Sequence, residues 1–336
     1  MNRLCRLFRR NEIETAYAAK FTPNKDKFSK PHSREHCSVN ANQIQMMGLN
    51  TRQQVRIERP TENGTTLALY TIESAHGEEP NYVFLDYVDP DDVEERFRVP
   101  TVEPFQCKIN SQVAAVGLDD DDAKAYSEFV EHLADDDYNR ELVVIAPHGG
   151  DIEERTDDQA QYVAQQLPSN CVSVWMCKGF KKGGGAFARW HITSTDISEE
   201  SFPKLKTIYG RQFKFAIAFH GWGGDSICIG GSEPDPDHPD CLKEEISLKE
   251  EIKCAIEKAV FGSESDPDGL KIEVVLGGDG DKRCPQNFNG NNPRNIVNRL
   301  GTIGVQIEQC EKARNDRYRL KIADAVVKAI RPKLAV

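Results

Sequence analysis

Two short apolar runs in this chain each end in a histidine followed at once by glycine, and no other feature limits the fold as tightly. They are Leu-Val-Val-Ile-Ala-Pro-His-Gly-Gly at 142–150 and Phe-Lys-Phe-Ala-Ile-Ala-Phe-His-Gly at 213–221. Runs of this length, rich in Val, Ile and Phe and stopped by glycine, read as buried strands emptying into loops. In open α/β sheets the loops beyond strand C-termini are where sites are built, so His148 and His220 are candidate site residues.

The rest of the chain supports that reading. From about residue 110 onward, helical patterns (120–134, 155–167, 199–208, 243–261, near 293–300 and 317–330) alternate with strand patterns (141–147, 171–177, 213–219, 226–230, 271–276 and 303–308). Such alternation predicts an α/β domain with an open mixed, mostly parallel sheet and helices on both faces. Upstream the texture is β-rich. A short helix closed by Gly48 leads into a strand, and Asn63-Gly64 between two strand-like runs reads as a hairpin turn. This helix–glycine–strand–hairpin order resembles the small swapped-hairpin barrels. The expected division is a poorly ordered polar leader (1–34), a small β-rich N-terminal domain (35–104) with a linker at Pro100–Pro104, and the α/β domain (105–336).

Composition excludes several classes. With 38% hydrophobic and 29% charged residues the chain suits a soluble globular protein, and no apolar run nears the roughly 18–20 residues of a membrane span. The basic N-terminus has no apolar core of a secretory signal, which predicts a cytoplasmic protein. The ten cysteines include no CxxC pair. Cys171, Cys177, Cys228 and Cys254 lie in apolar stretches as small hydrophobes, whereas Cys228, Cys241 and Cys284 are placed to pair in an oxidising compartment. A net charge of −11 argues against a nucleic-acid partner, whose affinity rests on basic residues. From Asp119 to Asp158 there are 15 acidic residues against three basic ones, a pattern that reads as a solvated helix pair. From Lys178 to Lys214 there are eight basic residues against three acidic, which predicts a local basic surface suited to an anionic substrate.

The chemistry starts at His148-Gly149-Gly150-Asp151-Ile152-Glu153. Two imidazoles and one carboxylate with a position left open are the ligand set of a hydrolytic zinc centre. A carboxylate five residues beyond a strand-end histidine, across a Gly-Gly turn, can close such a chelate. Ile152 would anchor the turn and aim Glu153 inward, leaving Asp151 to support a histidine from behind. The alternative is an ordinary buried, hydrogen-bonded histidine. Gly304–Glu308 reads as a strand with an acid at its end, suited to proton transfer beside a metal-bound water, or else to simple exposure. In 291–301, Asn298 and Arg299, with Arg294 as a second guanidinium, can clamp a carboxylate or merely cap and charge a helix. His191 in Ala-Arg-Trp-His-Ile-Thr-Ser-Thr can contact substrate, stabilise an oxyanion, serve as a fourth ligand, or pack beside Trp190. The glycines at 183–185 lack the lysine and serine of a phosphate loop, and no serine or cysteine lies in a nucleophile elbow. An iron oxygenase triad would use the same three ligands but leaves Glu308 without a task.

Taken in order, PHGGDIE (147–153), HITST (191–195), FHGW (219–222), IGG (229–231), NIVNR (295–299) and GVQIE (304–308) resemble the poly-γ-glutamate hydrolase family, phage-type zinc peptidases also known as phage-related replication proteins. The resemblance implies a zinc carboxypeptidase-like fold around one Zn2+ ion held by His148, Glu153 and His220, with Glu308 as general base. It further implies a γ-glutamyl polymer as substrate, with His191, Asn298, Arg299 and the basic segment containing Arg189 holding its carboxylates. Two rivals stand beside it: a zinc amidohydrolase of small N-acyl amino acids such as N-formylglutamate, and a non-catalytic regulatory or DNA-binding protein.

Overall fold

The computed structural model describes residues 16–21, 33–62, 64–77, 82–86, 96–97, 104–233, 247–261, 272–278 and 281–335. The chain divides into two units: residues 1–113 with 188–201, and residues 114–187 with 202–336.

The first unit is a closed barrel of β1 (Ala16–Phe21), β2 (His36–Asn40), β3 (Gln54–Thr61), β4 (Gly64–His76), β5 (Tyr82–Leu85) and β6 (Phe105–Asn110), in the order β1-β5-β2-β4-β3-β6. Alternate residues of its strands, such as Val55 and Ile57, Ala68, Tyr70 and Ile72, and Cys107 and Ile109, fill the interior. That is the period-two filling a small barrel demands. Helix α1 (Ala41–Met46) precedes β3, and β3 and β4 form the expected hairpin, with Thr61 opposite Gly64.

Three boundaries differ from the sequence reading. Residues 16–21 of the expected leader form a barrel strand, paired with β5 and β6. Strand β6 carries the barrel past the expected boundary at 104. Segment 188–201 also belongs to this unit, where Gln54 grips it with its side-chain amide and its backbone N–H. Its Nε2 donates to Asp196 O (2.7 Å), its Oε1 accepts from Ser198 N (3.0 Å), and its own backbone N donates to Ser201 Oγ (2.8 Å). His36 Nε2 adds a contact to Asp196 Oδ2 at 2.8 Å. Residues 100–103 of the expected linker lie outside the described residues.

The second unit is the expected α/β layer structure. Its helices are α2 (Asp120–Tyr126), α3 (Thr156–Gln166), the first two residues of α4 (Ala186–Trp190, whose last three belong to the first unit), α5 (Pro203–Ile208), α6 (Leu248–Val260), α7 (Ile296–Leu300) and α8 (Arg319–Ile330). Its strands are β7 (Phe129–Ala134), β8 (Leu142–Gly150), β9 (Val172–Gly179), β10 (Phe213–Trp222), β11 (Ile227–Gly230), β12 (Val274–Leu276) and β13 (Gly301–Cys310). They form one sheet in the order β12-β11-β13-β10-β8-β9-β7. The pairs β8–β9, β8–β10, β10–β13 and β11–β12 are parallel, and β7–β9 and β11–β13 are antiparallel. One face packs Val144, Val174, Ile217, Phe219, Val305 and Ile307 against α3, α6 and α8. On the other, Phe202 stacks edge-on against Trp175, with ring centroids 5.7 Å apart. No helix among the described residues is long and apolar enough to cross a membrane.

The expected helix over 120–134 stops at Tyr126. Ser127 turns to φ 58°, and the chain then pairs as β7 with β9. This pairing folds the acidic segment onto the basic one. Lys178 Nζ lies 2.8 Å from Asp120 Oδ2 and 3.0 Å from Asp157 Oδ2, Arg211 Nη2 lies 2.7 Å from Asp135 Oδ2, and Lys204 Nζ donates to Glu131 O at 2.7 Å. Two of the eight basic residues of 178–214, Lys178 and Arg211, are thereby paired with carboxylates of the acidic run.

Candidate functional site

The chain runs from β8 outward to β9 and then returns across β8 to β10. Neighbouring strands whose connections leave in opposite directions open a crevice at their C-terminal ends. Here the β8–β10 ladder ends at the Ile145–Ala218 pair, while β10 continues beside β13 as far as Trp222 and Cys310. His148 and His220 stand on the two strands that part.

A local irregularity brings them together. Leu142, Val144 and Ala146 face the α3/α6/α8 layer, and by strict alternation His148 would follow them. Pro147 has no N–H to give to the ladder, and the β8–β9 register slips between Ala146 and Gly149. A one-residue slip exchanges the two faces. His148 therefore emerges on the side of His220 and Glu308, which have the opposite parity to Phe219 and Ile307 in their strands. Beyond it Gly150 takes φ 69°, and a Cβ there would meet Gly179 O at 2.9 Å, so the turn that returns Glu153 requires glycine.

The three expected ligands converge and are all buried. His148 Nδ1 lies 3.0 Å from Glu153 Oε1, His220 Nδ1 lies 3.3 Å from Glu153 Oε2, and the two Nδ1 atoms are 3.2 Å apart. The turn is closed by Glu153 N donating to His148 O (2.9 Å), and Gly221 N donates to Glu153 Oε2 (2.9 Å). A tetrahedral ion with bonds of about 2.0 Å has ligand–ligand edges of about 3.3 Å. Two imidazole nitrogens and a carboxylate with these separations fit a zinc ion. Burial alone would raise the Glu153 carboxyl, but the charges and hydrogen bonds of His148 and His220 hold it well below the usual carboxylate range.

Glu308 stands directly opposite His220 in the β10–β13 register and is buried. Burial, then the negative charge of Glu153, push its carboxyl well above the ordinary value. A residue that the sequence reading passed over opposes that shift. Gln306, two positions earlier on the same face of β13, donates from Nε2 to Glu308 Oε1 at 2.6 Å, and its Oε1 accepts from Asn295 Nδ2 at 2.6 Å. Asn295 in turn caps α7, with its Oδ1 accepting from Val297 N. The period-two spacing of Gln306 and Glu308 was the available signal.

A cleft of about 550 Å3 opens over the triad's edge, lined by Asp151, Ile152, Glu153, Glu154, Arg155, Phe187, Gly221, Trp222, Gly223, Glu311, Arg314, Asn315 and Asp316. Arg314 was also missed: Nε donates to Gln309 O (3.2 Å) and Nη1 to Glu154 O (2.6 Å).

Asp151, Asn298 and Arg299 fall elsewhere than expected. Asp151 does not back a histidine, since its Oδ2 accepts from Lys181 N at 3.4 Å. Asn298 and Arg299 precede β13, about seven strand residues and so roughly 23 Å along the strand from Glu308. Asn298 is spent on structure: Oδ1 accepts from Ser232 N (3.0 Å), and Nδ2 donates to Gly290 O (2.7 Å) and Asn292 O (2.8 Å). Arg299 lies over the Tyr209 ring, 5.0 Å from its centroid. Arg294 is partly buried, its backbone N bonded to Asn292 Oδ1 at 2.9 Å. Arg189 and His191 belong to the barrel unit, where Arg189 is buried and His191 Nδ1 lies 2.5 Å from Glu35 Oε1. Cys228 and Cys284 pack in one buried cluster with Val275 and are free thiols, and Cys241 lies outside the described residues.

No curated protein matches the chain. Among solved structures, a bacteriophage poly-γ-glutamate hydrolase is 20% identical, with a TM-score of 0.43 over 61% of this chain and 89% of that one. A structure described as "YNDL-apo (Zinc-free)" is 18% identical, with a TM-score of 0.43 over 63% of this chain and 96% of its own. Residues 121–249, a span that contains His148, Glu153 and His220 and stops short of Glu308, match the model of the poly-γ-glutamate hydrolase family that the sequence motifs resemble.

Proposed function

We propose that this chain is a zinc-dependent hydrolase that cleaves γ-glutamyl amide bonds. The observation that carries the proposal is the convergence of His148, Glu153 and His220 at 3.0–3.3 Å on the strand ends of one crevice. The family match over 121–249 supplies the reaction class. His148, Glu153 and His220 would hold the ion. When bound, zinc supplies Lewis acidity toward an amide carbonyl and acidifies water.

The chain's own groups do the rest. Gly221 N–H fixes the Glu153 carboxylate, so the ligand arrives oriented. Glu308, beside His220 in register, is the group that takes a proton from water and passes it to the departing amine. Gln306, itself held by Asn295, fixes which way the Glu308 carboxylate points. Trp222 and Phe187 form apolar walls of the cleft. Roles for His191, Arg189, Asn298 and Arg299 in substrate binding rest on the family resemblance alone.

One observation favours a second reading. The cleft is lined by five carboxylates (Asp151, Glu153, Glu154, Glu311 and Asp316) against two arginines, a surface that repels a long polyanion. A short substrate such as an N-acyl amino acid brings fewer charges into that field. Metal analysis together with hydrolysis of poly-γ-glutamate, γ-glutamyl dipeptides and N-formylglutamate separates the two. Glu308→Gln should keep one zinc per chain and lose about 10²–10⁴-fold in turnover. A zinc-replete variant as active as the parent refutes Glu308 as the base.

A further inference from the structure

The geometry points to Arg314 as the residue that binds the α-carboxylate of a glutamyl unit flanking the scissile bond; this deepens the hydrolase reading above and rests on it. Two guanidinium groups line the cleft, and they differ in what neutralises them. Arg155 is shared between Asp158 (3.5 Å) and Asp316 (3.8 Å). Arg314 makes its hydrogen bonds to backbone carbonyls, Gln309 O and Glu154 O, and no carboxylate among the described residues pairs with it. Its positive charge is therefore not cancelled. Of the five N–H donors of a guanidinium, those two bonds leave three for a ligand.

The group is also held in place. One carbonyl comes from the end of β13 and the other from the turn just after Glu153, so the fork is pinned from both sides of the crevice. Between them it lies over Gly221, where a Cβ would come within 2.5 Å of Arg314 Cζ. The backbone N–H of that same glycine holds the candidate zinc ligand Glu153. The charge is close enough to Glu308 to pull its carboxyl down against burial. A pre-positioned planar donor beside the reacting groups is what bidentate recognition of a carboxylate needs.

The chemistry of a γ-linked chain matches. Its amide is made from the side-chain carboxyl, so every unit keeps an ionised α-carboxylate, which on the amine side is borne by the carbon bonded to the amide nitrogen. Inside an α-peptide chain that carboxyl is consumed in the next amide, so the anion remains only at the C-terminal unit. Elsewhere in the cleft Asp151, Glu154, Glu311 and Asp316 repel a carboxylate, which leaves Arg314 as its favourable place.

The test uses the full-length, zinc-loaded protein and a γ-linked triglutamate, with two analogues in which one or the other carboxylate flanking the scissile bond is a carboxamide. One amidation should lower wild-type kcat/KM about 10–100-fold, and which of the two does so assigns the acyl or the amine side. Arg314→Gln should bring the parent substrate down to the same level and abolish the difference between parent and analogue, and Arg314→Lys should restore part of it. In a Glu308→Gln background, calorimetry should show triglutamate binding weakened by a similar factor when Arg314→Gln is added. The inference is overturned if neither amidation changes wild-type kcat/KM by more than twofold, or if Arg314→Gln discriminates between parent and analogue as the wild type does. If the zinc-loaded wild type cleaves no γ-glutamyl amide, the hydrolase reading fails; calorimetry then decides Arg314 by itself, an unchanged affinity in Arg314→Gln overturning it.

Discussion

Replacing Gln306 with leucine removes one hydrogen-bonding group of similar size from the middle of a buried chain, Asn295–Gln306–Glu308, whose two links are both 2.6 Å. Two costs follow. The Nδ2 of Asn295 loses its acceptor in a buried position, which costs about 1–3 kcal/mol. The Glu308 carboxylate loses a hydrogen bond to its charged form, worth about 1.5–3 kcal/mol, but only while it is ionised. Leucine packs apolar surface in return, so the net loss of stability should be about 1–3 kcal/mol, or roughly 2–12 °C in Tm for a domain of this size.

The second cost also appears in catalysis, with a definite sign. The Gln306 bond lowers the Glu308 pKa against burial and the charge of Glu153. Without that bond the pKa rises further, because the ionised form loses a stabilising donor. A general base works ionised, so the acidic limb of the kcat/KM profile should move to higher pH, while zinc content stays at the wild-type level. The measurements are thermal unfolding of the metal-free protein and pH–rate profiles of the zinc-loaded one. A lower Tm with an unmoved acidic limb would show that this limb does not report Glu308. A Tm and a limb both unchanged would refute the network.

Other perturbations test separate parts of the structure. Zinc at 100 times its Kd should stabilise the wild type by about 2.7 kcal/mol in calorimetric melting, and His148→Ala or His220→Ala should remove most of that gain. In the metal-free protein the folded state holds the Glu308 proton more tightly than the unfolded chain does, so stability falls as pH rises from the ordinary carboxylate value toward the raised one. Glu308→Gln should therefore raise Tm at neutral pH and flatten that fall; an unchanged or lower Tm would count against the raised pKa. Asn298→Ala removes three hydrogen bonds to Ser232, Gly290 and Asn292. It should destabilise by about 2–4 kcal/mol with KM unchanged, and a raised KM in a stable variant would return Asn298 to the substrate. Gly150→Ala forces a side chain against Gly179 O at φ 69° and should lower zinc affinity and stability together, read by metal titration and melting.

What the sequence displays of this site is set by what each residue depends on. The strand-end histidines were visible because burial on both faces writes itself as an unbroken apolar run, and the Gly-Gly after His148 marks a turn that only glycine can make. Their facing one another was not visible, since it depends on a one-residue slip at Pro147, and register is a property of two strands rather than one. The helix expected over 120–134 failed for a related reason. Phe129–Ala134 continues an amphipathic pattern, and only pairing with β9 makes it a strand, with Glu131 turned to accept from Trp175 Nε1 at 2.9 Å and from Leu205 N at 2.8 Å. Asn298 and Arg299 are ambiguous in the sequence because an amide and a guanidinium on one helical turn suit a carboxylate and a loop backbone equally well. Which one they meet depends on the end of β13 at which α7 sits. Arg314 is the converse case. Its partners are carbonyl groups, which every residue carries, so nothing in the sequence sets it apart from Lys312 two positions earlier. Sequence identifies donors and acceptors, and the direction of the strand decides which of them share a crevice. Glu308 belongs to the site because β13 runs parallel to β10 and ends beside it, whereas Arg299, nine residues earlier in the chain, is carried to the opposite edge of the sheet by that same direction.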